Sequence, residues 1–180
     1  DGQVVVISFT DGRIELVPGF EQTDGSFKFP DSHGDGSWKT TKPIPEIVKS
    51  REMKNQTNGI FNYLCYLMRQ WKNHIGFSFK GLLIDTMVCD YLDENDDFRD
   101  KSEFDLLKDL FEFLAKQDKE RVCWLALGSN QKITNDDGGK FITKAKKALK
   151  KFDDEDEEKV LRELFGYKKK ETKAASEQFI

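Results

Sequence analysis

Long apolar runs and paired cysteines are missing from this sequence, and each absence excludes a class of protein. No run of about 18 apolar residues occurs, so no membrane-spanning helix is predicted. The three cysteines, Cys65, Cys89 and Cys123, lie far apart without a CxxC pair, which argues against a disulfide framework and a zinc site. We therefore expect free, buried thiols in a reducing compartment, and a cytoplasmic protein.

An excess of positive charge is also missing. The formal net charge of the 180 residues is −4, which argues against a protein that coats nucleic acid. Apolar residues make up 37% of the chain and charged residues 34%, which supports one core beneath a heavily charged surface. Residues 140–151 are strongly basic and residues 153–158 mostly acidic. Such blocks more often mark solvated helix faces than binding sites.

The first apolar segment predicts a β-hairpin. Residues 4–9 are β-branched and apolar, which is typical of a strand buried on both faces. Asp11-Gly12 is a two-residue turn signal, and residues 13–17 form the expected return strand. Because side chains alternate along a strand, Glu15 should point away from the face that carries Ile14 and Leu16.

The rest of the chain predicts mainly helices. Residues 21–45 are rich in turn residues and predict an irregular loop with a short extended piece at 26–29. Apolar spacing and capping residues predict helices at 45–53, 59–74, 79–92, 102–117, 140–152 and 154–165. The expected fold class is α+β, with short strands followed by a helical bundle. We expect a sheet region at 1–44, a helical domain at 45–167 and a disordered tail at 168–180.

Two familiar ligand loops are excluded by single positions. Residues 93–104 begin like a calcium loop, but Phe98 replaces the glycine at its sixth position and Phe104 replaces the glutamate at its twelfth. Residues 134–141 are similar to a phosphate loop. Thr134 stands in place of its first glycine, and Phe141 in place of its serine or threonine.

The polar groups that remain fit the chemistry of a metal–nucleotide site. Glu15 lies on a strand, and Trp38 lies in the polar, aromatic loop that follows. Arg69 and Lys72 are three residues apart and should share one face of their helix. Ser78 and Phe79 open the next predicted helix, where free N–H groups attract phosphate and an aromatic ring can stack on a base. Each of these features is also common in proteins without such a site.

The order of these segments resembles one family. Residues 12–20, GRIELVPGF, resemble the strand of cGAS/DncV-like nucleotidyltransferases (bacterial CD-NTases of the SMODS type) that supplies the third metal-binding carboxylate. Residues 29–43 resemble the loop after that strand. Residues 63–72 are similar to the family's helix with a basic residue before a tryptophan, and residues 77–83 to its Ser-aromatic opening. Residues 124–145 also resemble the bacterial members. The implied fold belongs to the Pol-β-like nucleotidyltransferase superfamily.

The resemblance implies an enzyme that joins nucleoside triphosphates into a cyclic di- or trinucleotide second messenger for bacterial antiphage defence. It would use two Mg²⁺ ions, or Mn²⁺, held by three carboxylates, of which Glu15 would be the third. The resemblance also implies roles for five further residues. Arg69 would contact the triphosphate, Ser78 would bond a phosphate and Phe79 would stack on the base, with Lys72 and Trp38 also in the nucleotide site.

Two departures from the family pattern leave alternatives open. Glu15 stands where the family has Asp, and the Gly-Ser and Asp-x-Asp segments expected upstream are missing. We therefore expect a piece of a larger enzyme that is inactive alone and needs the N-terminal half of that enzyme as its partner. One alternative is a transferase that makes a linear product or transfers a single nucleotide. The other is a non-catalytic module that binds nucleotides or proteins through a degenerate site.

Overall fold

The computed structural model describes residues 4–32, 35–153 and 156–166. The chain folds as α+β, with short antiparallel strands followed by helices, as its sequence predicts. Within these residues, no helix is long and apolar enough to cross a membrane. The predicted tail at 168–180 lies outside the described residues. The strands are β1 Val5–Phe9, β2 Gly12–Leu16, β3 Phe20–Glu21, β4 Phe27–Asp31, β5 Ser37–Thr41, β6 Cys123–Leu125 and β7 Lys132–Thr134. The α-helices are α1 Pro43–Gln56, α2 Ile60–Ile75, α3 Gly81–Glu94, α4 Glu103–Lys116, α5 Lys140–Leu149 and α6 Glu157–Phe165.

Strands β1 and β2 form the predicted hairpin, with Val6 opposite Glu15 and Ile7 opposite Ile14. The connecting residues are Thr10 and Asp11, because Gly12 already pairs with Phe9. The prediction that the first strand is buried on both faces is wrong. Val5, Ile7 and Phe9 are 59%, 41% and 55% exposed. The hairpin is a two-stranded sheet by itself, and in the described part of the chain no second layer buries its apolar face.

A second sheet replaces the irregular loop that the sequence predicts over residues 21–45. Strand β4 lies between β3 and β5, and all three are antiparallel. Asp24 stabilises the turn before β4. Its carboxylate accepts hydrogen bonds from the backbone N–H of Ser26 at 3.0 Å and from the hydroxyl of Ser26 at 2.6 Å. Pro30 has no N–H to donate, yet the central strand accommodates it. The short β3 pairs only with Phe27 and Lys28. No residue of β3 therefore lies opposite Pro30 to need a hydrogen-bond donor there.

The helices enclose one apolar core with α3 near its centre. Eight of the residues of α3 are buried, as expected for a helix that is apolar nearly all round. An aromatic cluster joins this core to the connection between α2 and α3. The Trp71 ring makes edge contacts with Phe77 at 4.7 Å and with Phe111 at 4.8 Å between centroids. Helix α4 packs on α5, and α6 packs on α2.

Local signals position several of the helix ends. The Ser102 hydroxyl accepts a hydrogen bond from the Asp105 N–H at 3.1 Å and caps α4, as predicted. Gly76 and Gly166 end α2 and α6 in the left-handed conformation that glycine adopts without strain. Helix α1 begins at Pro43, two residues before the predicted start, since proline is tolerated in a first turn. The predicted start of the last helix, 154–155, lies outside the described residues.

Candidate functional site

Arg69 is held in place by a two-armed ion pair. Its Nη1 lies 2.7 Å from Oδ1 of Asp85, and its Nη2 lies 2.8 Å from Oδ2 of the same carboxylate. The same nitrogens also donate to the carbonyl oxygens of Cys65 at 3.2 Å and Gly81 at 3.4 Å. The hydrogen bonds that Arg69 donates to Asp85 raise the pKa of Arg69 further above its already high value, so the group stays cationic. All four terminal N–H groups of this guanidinium therefore have acceptors.

Lys72, one turn further along α2, reaches the connection between α2 and α3. Its Nζ donates to the carbonyl oxygen of Phe79 at 2.9 Å. Arg69 and Lys72 therefore both bind the segment that leads into α3, through Gly81 and Phe79 respectively. The sequence places both cations on one face of α2. In the structure, this face donates hydrogen bonds to the backbone that leads from α2 into α3.

Ser78 and Phe79 occupy positions that differ from their predicted ones. Helix α3 begins at Gly81 with Lys80 as its N-cap, so Ser78 precedes the cap by two residues. The side chain of Ser78 is exposed, whereas Phe79 is only 3% exposed. The Phe79 ring stacks on Phe141 with a centroid distance of 4.7 Å and an interplanar angle of 2°. A base could stack on Phe79 only if its ring left this aromatic stack, because one face is covered and the side chain is buried.

A groove between α1 and α2 lies beside Arg69, with a volume of about 630 Å³. Arg69 and Asp85 are part of its lining. Arg51 and Lys54 from α1 and Tyr66 from α2 also line it. We call this cavity the α1–α2 groove. Its volume falls within the range of about 300–1,000 Å³ that is usual for small-molecule sites.

Polar contacts of Glu46 and Lys49 fix α1 against the remainder of the fold. Oε1 of Glu46 accepts hydrogen bonds from Ser129 Oγ and from Gln131 Nε2, both at 2.7 Å. Lys49 forms an ion pair with Asp93 at 3.2 Å. These contacts join α1 to α3 and to the turn between β6 and β7, so one wall of the α1–α2 groove is preformed.

Cys65 lies in the lining of the same groove without being a plausible nucleophile. Burial raises the pKa of its thiol strongly, and the nearby Asp85 carboxylate raises the pKa further. The thiol therefore stays protonated at neutral pH. Cys65 and Cys89 are buried and Cys123 is half-buried, and all three are free thiols, as the sequence predicts.

Glu15 and Trp38 lie apart from the group around Arg69. The Glu15 carboxylate is 2.9 Å from Nη2 of Arg13, on the hairpin face opposite Ile14 and Leu16, as predicted. Trp38 on β5 is 60% exposed and makes an edge contact with Phe20 at 5.7 Å between centroids. Among the residues described, no hydrogen bond, ion pair or ring contact joins Glu15 or Trp38 to Arg69.

Sequence reasoning missed four residues of this region: Asp85, Arg51, Lys54 and Tyr66. Helical spacing could have found three of them. Tyr66 and Arg69 are three residues apart on α2, and Arg51 and Lys54 are three apart on α1, so each pair shares a face. Asp85 is the one charged residue among residues 81–89, the largely apolar N-terminal part of α3, and a carboxylate in such surroundings generally needs a partner. No local signal names Arg69 as that partner.

The chain has short antiparallel strands followed by packed helices, and a groove with cationic side chains lies between α1 and α2. This arrangement is consistent with a nucleotidyltransferase-like fold. Residues 1–55 match the family model of the Second Messenger Oligonucleotide or Dinucleotide Synthetase domain. The resemblance to the cGAS/DncV-like nucleotidyltransferases is thus confirmed over a segment that contains Glu15 and Trp38 and ends before α2. No curated protein and no solved structure is significantly similar to the chain.

Proposed function

We propose that this chain is part of a nucleotidyltransferase that makes cyclic oligonucleotide second messengers from nucleoside triphosphates in bacterial antiphage defence. The observation that carries the proposal is the family match over residues 1–55, which includes the hairpin that presents Glu15. The α1–α2 groove supports it, because Arg51 and Lys54 in its lining fall within the matched residues and anionic triphosphates need positively charged contacts. The parent enzyme would act in the cytoplasm.

In this proposal Glu15 is a metal-binding carboxylate. It lies on the polar face of the hairpin with its side chain 45% exposed, so a cation could reach it by displacing Arg13. A complete site needs further carboxylates. Among the described residues no group of three or more His, Cys, Asp or Glu could hold a metal ion. Glu15 can therefore supply one ligand for Mg²⁺, and the other ligands would come from outside the described residues, in the N-terminal half of the enzyme.

Arg69 would contact the triphosphate. Its side chain is 38% exposed and lines the α1–α2 groove, so it is accessible. The 3.4 Å hydrogen bond to Gly81 is the longest of its contacts and the easiest to exchange for a phosphate oxygen. The bidentate pair with Asp85 would keep the guanidinium in orientation meanwhile.

The remaining predicted residues would act around this centre. The exposed hydroxyl of Ser78 could bond a phosphate, and Trp38 is exposed enough to stack on a base. Lys72 would act by holding the backbone of Phe79, which presents Ser78. Phe79 could contact a base only after rearrangement, because its ring is packed against Phe141.

The experiment is product synthesis by the protein encoded in the complete reading frame. The wild type with Mg²⁺ and radiolabelled triphosphates should yield a cyclic product, and Glu15→Gln and Arg69→Ala should each abolish it. Glu15→Gln keeps the shape of the side chain and removes its charge. The matched control is Glu21→Ala, an exposed carboxylate on β3, which should stay active. Full turnover in both Glu15→Gln and Arg69→Ala would refute the assigned site.

The same assay separates the alternatives. A linear product would support the simpler transferase. Nucleotide binding by the complete wild-type protein, without product under any metal condition, would support a non-catalytic module. The 180-residue chain alone should give no product, because the described residues do not complete a metal site.

A further inference from the structure

Two cations of the α1–α2 groove have no partner in the described part of the chain. Arg51 and Lys54 are exposed, lie three residues apart on α1 and line the groove. Neither side chain makes a hydrogen bond or an ion pair within the described residues, whereas Arg69 has acceptors for all its terminal N–H groups. The unpaired positive charge of the groove therefore lies on α1, whereas Arg69 on α2 is already paired with Asp85.

The acidic side chains of the groove do not cancel this charge. Asp85 is already neutralised by Arg69 at 2.7 Å. Glu46 is engaged by Ser129 and Gln131 through hydrogen bonds of 2.7 Å each, which orient its carboxylate toward the β6–β7 turn. An anion entering the groove would thus meet Arg51 and Lys54 directly.

Tyr66 supplies an accessible aromatic surface in the same cavity. It is 57% exposed, and within the described residues its ring contacts no other ring. It lies one helical turn before Arg69, on the same side of α2. Base–aromatic stacking requires an exposed ring face of this kind. The buried Phe79 lacks that exposure, at 3%.

We propose that the α1–α2 groove is a nucleotide subsite, in which Arg51 and Lys54 bind the phosphates and Tyr66 stacks on the base of a nucleoside triphosphate. This inference rests on the proposed function and names the residues that would hold its substrate. Arg69, fixed by Asp85, borders this subsite. The contacts of Glu46 and Lys49 hold α1 in position before the nucleotide arrives, which reduces the entropy lost on binding.

The test is direct binding to the complete protein in EDTA, where no turnover occurs. The probes are ATP, GTP, CTP, UTP and inorganic tripolyphosphate, measured by titration calorimetry. The double variant Arg51→Ala/Lys54→Ala should weaken the preferred nucleotide and tripolyphosphate by about tenfold or more, because each loses charge-assisted hydrogen bonds. Tyr66→Ala should weaken the nucleotide by about fivefold or more and leave tripolyphosphate unchanged, and Tyr66→Phe should keep both affinities.

The matched control is Lys147→Ala, which removes an exposed cation from α5 outside the groove. An equal loss in this control would show binding to net charge alone and overturn the proposal. Unchanged affinity in the double variant or in Tyr66→Ala would also overturn it. Thermal melting would verify folding, which we expect to persist because the three side chains are exposed. If the complete wild-type protein yields no product with any metal, the proposed function fails, but these affinities still judge the groove.

Discussion

The guanidinium of Arg69 and the carboxylate of Asp85 form a bidentate ion pair at 2.7 and 2.8 Å between α2 and α3. The pair adds a specific orientation to two helices that apolar packing already brings together. The pair also engages Arg69, the cation proposed to contact the triphosphate. Arg69 therefore has a structural partner in Asp85 and a proposed ligand in the triphosphate. Its structural role and its binding role can be separated by measurement.

Removing this pair should reveal a coupling larger than that of an ordinary surface pair. In a double-mutant cycle with Arg69→Ala and Asp85→Ala, we expect a coupling free energy of about 1 kcal/mol in urea unfolding, and less in 1 M NaCl. The control is the exposed pair Arg162–Glu158 at 3.2 Å, for which about 0.3–0.5 kcal/mol is expected. Equal couplings in the two cycles would contradict a structural role for the Arg69–Asp85 geometry.

Gly128 should be far less tolerant of a side chain than Gly138. Both have a positive φ, at 71° and 64°, but a Cβ on Gly128 would lie 2.3 Å from the Pro45 carbonyl oxygen, whereas one on Gly138 meets nothing within 4 Å. Gly138→Ala should cost about 1–2 kcal/mol of backbone strain. Gly128→Ala should cost a further 1–3 kcal/mol or so, because α1 must shift. Chemical denaturation of both variants measures the difference, and equal losses would exclude the contact as its cause.

Asp90 on α3 should make stability depend on pH. Burial and the nearby Glu94 and Asp93 raise the pKa of its carboxyl to about 6. Because this folded-state value exceeds that of the unfolded chain, the unfolded state binds fewer protons between about pH 4 and 6. The contribution of Asp90 to stability is therefore present at low pH and is lost as the pH rises through about 6.

Replacing Asp90 with Asn, which stays neutral, should remove this pH dependence. Asp90→Asn should increase the urea midpoint at pH 7.5 and change it much less at pH 4.5. The exposed Asp100→Asn serves as a control in which we expect no such difference. A gain from Asp90→Asn that is the same at both pH values would show that its titration is not the cause.

The helices could be predicted from the sequence because their signals are local. Ser102, Gly76 and Gly166 mark helix ends through contacts within a few residues, and the apolar spacing of α2 identifies its buried face. The hairpin could also be predicted from local signals. Alternation along the strand puts the side chains of Glu15 and Ile14 on opposite faces of the hairpin.

The errors concern properties that depend on distant parts of the chain. Whether the β1 face is covered depends on what lies above it, and whether Phe79 is accessible depends on Phe141, which follows it by many residues. The three-stranded sheet was missed because its strands are short and contain Pro30 and turn residues, which lower strand propensity. The family pattern predicts Arg69 as a site residue, but its ion pair with Asp85 could be seen only in three dimensions.

The β1–β2 hairpin has a further consequence for how this chain meets other strands. Among the described residues, the outer edges of β1 and β2 pair with no third strand, so each edge presents a row of backbone donors and acceptors. Open edges of this kind accept an added strand, either from a proper partner or from a second copy. The segment that carries Glu15 is therefore also a segment open to β-augmentation.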